Sequence, residues 1–183
     1  TATTEIYTLS HTTLFRSGGN IALCMAATLD VDKLVTISTP ILIKNKLVYI
    51  TEFLSLFRKY QYWRKSNPVE GELVFDHPLG YPGMPVRSIA EVRKLTIASL
   101  GRLRRVKQPI LIVQSLKDKT VHPKSPYLIY DLTNSSYKEL LLLSNARHNA
   151  IISPEREHLF NSVELFLGNG AEDSHLLEVK QMI

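Results

Sequence analysis

Two short stretches constrain this chain most: Lys33 to Thr39, with Leu34-Val-Thr-Ile-Ser at its centre, and Pro109-Ile-Leu-Ile-Val-Gln114. Each is a largely apolar, β-branched run, so each reads as a strand covered on both faces rather than one facing water. Such strands need helices on either side. Asn20 to Leu29 supplies one, with Ile21, Ala22, Leu23, Met25, Ala26, Ala27 and Leu29 in a helix of about three turns that must be buried on most sides. Val86 to about Leu103 and Ser125 to Leu132 supply two more, and Lys138 to Leu143 reads as a third strand. The last helix spans Pro154 to Leu167, with Ser153 as its candidate N-cap, Glu155 in its first turn and Gly168 past its end. Alternating strands and helices predict an α/β chain: a parallel sheet flanked by helices on both faces.

The alternation is interrupted in two places. Thr1 to Arg16 is rich in threonine and reads as irregular or weak β, with Glu5 to Leu9 extended. Lys44 to Lys65 spaces Leu47, Ile50, Phe53, Leu54, Phe57, Tyr60, Tyr62 and Trp63 mostly three or four apart among charges, an amphipathic helix with many aromatics. Ser66 to Pro85 is dense in proline and glycine and cannot be one long helix. Residues 41–103 are therefore expected to form a helical cap inserted within a single domain, 1–183, and Gly170 to Ile183 a loose tail.

Composition narrows the function classes. Hydrophobic residues at 44% and charged residues at 21% describe a folding chain rather than a disordered or fibrous one. The single cysteine, Cys24, excludes an intramolecular disulfide and a cysteine-based zinc site; it reads as a buried thiol in a reducing compartment, so a cytoplasmic location is expected. The longest apolar runs, Ile21 to Ala27 and Leu140 to Leu143, fall far short of the ~20 residues that span a bilayer, so no integral membrane span is expected. The net charge of +5 is concentrated in Arg58, Lys59, Arg64 and Lys65, and in a second group from Arg87 to Lys107. Basic residues at helical spacing read as solvated faces, and aromatic stacking residues are not interleaved with the second group, so no nucleic acid partner is expected. His11, His77, His122, His158 and His175 lack the mutual spacing of a zinc site, and no metal or other cofactor is expected. Thr1 to Thr4 has neither a basic n-region nor an apolar h-region, so no signal peptide is expected there, and the missing initiator methionine suggests a piece of a longer chain.

In an open parallel sheet, chemistry gathers in loops beyond the carboxyl ends of the strands. Three loops qualify here: Arg16-Ser17-Gly18-Gly19 before the first helix, the loop with Asp118, and the loop with His148. Nucleophile, acid and histidine follow one another in the order of an α/β-hydrolase triad. From Gly18 onward the sequence resembles the bacterial carboxylesterase and monoacylglycerol-lipase branch of that family. Gly18-Gly19-Asn-Ile-Ala-Leu resembles the end of the Gly-x-Ser-x-Gly-Gly elbow, and Leu34-Val-Thr-Ile-Ser-Thr-Pro40 the strand after it. Ile112-Val-Gln-Ser-Leu-Lys-Asp118 resembles the strand and loop that present the acid, and Asn145-Ala-Arg-His148 stands where the family has Ser-Gly-His.

The resemblance implies hydrolysis of short- to medium-chain acyl esters, with a small-molecule ester substrate, Ser17 as nucleophile, His148 as base, Asp118 as its orienting acid, and the cap as a lid over an acyl pocket. Two departures accompany it. With the paired glycines in register, the nucleophile position falls on Arg16; with Ser17 as nucleophile, Phe15 stands where the first elbow glycine belongs. The strands and oxyanion-hole loop that precede the elbow in the family are also missing from the pattern, which implies an incomplete α/β-hydrolase fold corresponding to its C-terminal portion. The alternative is a catalytically dead hydrolase remnant that acts as a binding or interaction module.

Overall fold

The computed structural model describes residues 11–42, 53, 56–57, 59–62, 83–147 and 149–168. Their order is α1 (His11–Ala26), β1 (Leu34–Ile37), β2 (Tyr60–Tyr62), β3 (Gly83–Pro85), α2 (Val86–Leu100), β4 (Ile110–Ser115), α3 (Ser125–Leu132), β5 (Lys138–Leu143) and α4 (Arg156–Gly168), with short 3₁₀ turns at Leu103–Arg105 and Ala150–Ile152. The main sheet runs β1-β4-β5, all parallel, with Leu34 opposite Ile110 and Ile110 opposite Lys138.

β4 is the central member of this sheet, and every one of its residues is buried. Its side chains alternate between two cores, as the two-residue period of a strand requires. Ile110 and Ile112 pack with Leu23 and Ala26 of α1 and Ile129 of α3. Leu111 and Val113 pack on the opposite face with Leu143 of β5 and Leu159 and Phe166 of α4. The expected parallel sheet with helices on both faces is therefore the observed one.

Two local expectations are corrected. The threonine-rich stretch ahead of Gly18 is helical from His11, and α1 runs without interruption through Gly18 and Gly19 to Ala26. A glycine costs up to about 1 kcal/mol inside a helix, and the burial of Leu23 and Ala26 in the core offsets it. Tyr60–Tyr62, expected at the end of an amphipathic helix, is instead a strand paired antiparallel with Gly83–Pro85. Aromatics spaced three or four apart suit a helix, but tyrosine also favours a paired strand, and here the ladder prevails. The rest of the expected cap lies largely outside the described residues, as do Glu5 to Leu9 and the tail beyond residue 168.

α2, at the end of the 41–103 segment, packs along α1 through a buried polar seam. Asn20 donates through Nδ2 to the Pro40 carbonyl at 3.2 Å and to Thr96 Oγ1 at 3.3 Å, and its Oδ1 accepts from Ser99 Oγ at 2.8 Å. At the opposite side of the sheet, the Lys33 ammonium donates to the carbonyls of Phe166 (2.7 Å) and Leu167 (3.1 Å), capping the end of α4, and lies 5.6 Å from the Phe166 ring centre.

Tyr137 stacks on that ring at 6.3 Å, and its hydroxyl donates to Glu139 Oε1. Desolvation, followed by the hydrogen bond and the charge of Glu139, pushes the Tyr137 phenol up to about 12. The folded state thus holds this proton more tightly than an unfolded chain, whose tyrosines titrate near pH 10. The stability this confers is present below pH 10 and is lost as pH rises toward about 12. Absorbance at 295 nm is expected to show a late-titrating tyrosine that Tyr137→Phe removes; an unchanged alkaline profile in that variant would refute the assignment.

Candidate active site

The carboxyl ends of the three parallel strands face the same edge of the sheet, and each is followed by a segment singled out from the sequence. After β1 the backbone turns sharply at Ser38, a buried non-glycine residue with φ of 48°. Residues in this left-handed region are uncommon, and such strain concentrates at functional sites. The hydroxyls of Thr36, Ser38 and Thr39 are buried and have no hydrogen-bond partner among the described residues. Thr39 meets α1 at Gly19: a Cβ built on that glycine would stand 1.8 Å from Thr39 Oγ1. Gly18 has open space around it. The doublet expected at a strand-to-helix turn thus lies within a helix, and only its second glycine is required by a close approach.

Ser17 sits one residue before this doublet, inside α1, and is 7% exposed. Its position in an uninterrupted helix differs from the exposed turn expected for a nucleophile.

Asp118 follows β4 and is 4% exposed. Its Oδ1 accepts the N–H groups of Thr120 (2.7 Å) and Val121 (3.0 Å), and its Oδ2 accepts from Gln114 Nε2 at 3.3 Å. Gln114, the last residue but one of β4, also donates to the Ser115 carbonyl. The carboxylate is therefore held at a defined place by backbone and side chain together. The same loop is tied to the end of β1, because the His122 N–H donates to the Leu42 carbonyl and Ser125 Oγ accepts the Leu42 N–H.

His148 lies outside the described residues; Arg147 and Asn149 on either side of it are exposed. The segment leading to it, Ser144 to Arg147, is fastened to the Asp118 loop. Ser115 Oγ donates to the Ala146 carbonyl, Lys117 Nζ donates to Asn145 Oδ1 at 3.0 Å, and the Leu116 N–H donates to the Leu143 carbonyl. On its other side the segment is held by Glu155, whose carboxylate accepts the N–H groups of Ser144, Asn145 and Ala146. Glu155 reads from sequence only as an acid in a first helical turn; what it binds depends on how the chain folds back.

Asp118 also lines a cavity of about 70 Å³ with Gln114, Val121, Tyr127 and Leu142. This is far below the ~300 Å³ of an ordinary ligand pocket. In the segment expected to form the cap, Phe53 and Phe57 are 65% and 78% exposed, with ring centres 5.3 Å apart. No helix among the described residues is long and apolar enough to cross a membrane.

A parallel sheet covered on both faces, with an acid on the loop after one strand and a histidine-bearing loop after its neighbour, defines the α/β-hydrolase class of fold. The comparisons agree. A carboxylesterase of Bacillus subtilis (strain 168) is 21% identical over 150 residues, which make up 82% of this chain and 60% of that protein. A structure reported with the metagenome-derived lipolytic enzymes LipS and LipT superposes with a TM-score of 0.71 at 26% identity, covering 83% of this chain and 62% of that one. The monoglyceride lipase of Saccharomyces cerevisiae superposes with a TM-score of 0.66 at 17% identity, covering 83% of this chain and 62% of the lipase. No family model matches the sequence. The chain has an incomplete α/β-hydrolase fold, and it spans about 60% of the length of these relatives.

Proposed function

We propose that this chain is a serine-hydrolase relative of the carboxylesterase and monoacylglycerol-lipase type, with short- to medium-chain acyl esters as its substrates. The observation that carries the proposal is the fastening of the Asp118 loop to the segment before His148 by Ser115 and Lys117. In the mechanism that follows, Ser17 attacks the ester carbonyl, His148 takes its proton and returns it to the leaving alcohol, and Asp118 orients the imidazole. Water then releases the acyl group by the same path in reverse, and no cofactor takes part. Residues 41–103 act as the cap, with the exposed Phe53 and Phe57 favouring an apolar acyl group.

A second function, that of a catalytically dead relative serving as a binding module, is favoured by the burial of Ser17 within α1. Turnover of p-nitrophenyl butyrate by the parent and by Ser17→Ala separates the two. The proposal expects turnover in the parent that falls to background in the variant. Turnover that survives the substitution removes Ser17 from the mechanism, and an inert parent supports the binding module.

A further inference from the structure

The acid at the start of α4 does not serve its own helix. The Glu155 carboxylate instead accepts three successive N–H groups of another segment: Ser144 at 3.1 Å on Oε1, and Asn145 at 2.7 Å and Ala146 at 2.6 Å on Oε2. Successive backbone N–H groups converging on one point form an anion-binding nest, and here the anion is built into the chain. Hydrogen bonds to a charged acceptor are roughly twice as strong as neutral ones. The carboxylate is itself well anchored. The Glu155 N–H donates to Ser153 Oγ at 3.2 Å, its carbonyl accepts the Leu159 N–H at 3.0 Å, and Leu159 is fully buried. From the other side, the Ala146 carbonyl and the Asn145 side chain are held by Ser115 and Lys117. Segment 144–146 is thus clamped between Glu155, immediately ahead of α4, and the loop that carries Asp118, and residue 148 follows two positions later.

We infer that Glu155 is a positioning residue, which fixes segment 144–146 and thereby the point from which His148 is delivered. Its catalytic consequence rests on the proposed role of His148; the clamp itself does not. Glu155→Gln keeps the shape but loses the charge and turns an amide donor toward N–H groups, so about 100-fold faster hydrogen exchange is expected at Ser144, Asn145 and Ala146. Exchange at Ile110 to Val113 of β4 should stay within about twofold. Trypsin should cut after Arg147 correspondingly faster, and Glu155→Asp, shorter but still charged, should fall between parent and Gln variant. With p-nitrophenyl butyrate, kcat should fall about 10- to 100-fold at unchanged KM, the mark of an interaction that acts on the transition state alone.

Loop exchange and cleavage unchanged from the parent would overturn the inference, as would a rise shared equally by β4, which would make Glu155 a general stability contact. If the parent hydrolyses no ester, the proposed function fails by itself, and exchange and cleavage still decide the role of Glu155.

Discussion

Asp118→Asn is expected to lower ester turnover by about 10⁴-fold while leaving the protein folded, because an amide in place of the orienting carboxylate cannot hold an imidazole in the tautomer that general-base catalysis needs. The local geometry makes this substitution informative. Asparagine retains an oxygen for the Thr120 and Val121 N–H groups, so the turn survives, but its amide would face the Gln114 amide across the present 3.3 Å contact. A cost of about 1 kcal/mol in folding is expected from that opposed pair of donors. Asp118→Ala is different: it strips the acceptor from both backbone donors, while Gln114 keeps the Ser115 carbonyl, and each buried donor left unpaired costs about 1–3 kcal/mol. Denaturant titration should therefore separate the variants, with alanine about 2–5 kcal/mol below the parent and asparagine close to it. Equal turnover in Asp118→Asn and the parent would remove Asp118 from the mechanism, and equal stability of Asp118→Ala would show that the turn does not need its carboxylate.

The neighbouring glycines of α1 are expected to respond to alanine with opposite signs. Gly18 has nothing within 4 Å of a new Cβ, so Gly18→Ala gains helix propensity and should stabilise by roughly 0.5–1 kcal/mol. Gly19→Ala places its methyl 1.8 Å from Thr39 Oγ1 and 2.9 Å from Thr39 Cβ, an overlap relieved only if α1 and the end of β1 move apart. Overpacking of this kind costs about 3 kcal/mol, more than the propensity returns. Thr39→Gly removes the atoms in the way, so the double variant should recover most of the loss, whereas additive penalties in the double-mutant cycle would refute the clash. Thermal or denaturant unfolding of the four proteins suffices.

Much of the sheet was legible because its strands are extreme cases. Ile110 to Val113 alternate between two apolar cores, so the run needs no polar residue and stands out in any window. α3 agreed with the expected Ser125 to Leu132, and β5 with Lys138 to Leu143. The start of α1 was not legible: threonines are weak helix formers and a glycine doublet reads as a turn, while the contact that makes Gly19 small, with Thr39, is set by the tertiary fold. The β2–β3 ladder was hidden for a similar reason, since Tyr60–Tyr62 finds its partner at Gly83–Pro85, across an intervening stretch of chain. At the site, the loop order pointed to Asp118, but its acceptor bonds and the Glu155 clamp depend on backbone N–H groups, which no residue pattern announces.

The ammonium of Lys33 works as the final stitch of a seam. It stands at the foot of β1 yet grips the last turn of α4, so the C-terminal turn of that helix cannot fray without first releasing a cation from two carbonyls. Acylating this single amine would convert the stitch into a neutral amide with one donor, and unravelling would then proceed toward Leu159, baring the very face that shields Leu111 and Val113.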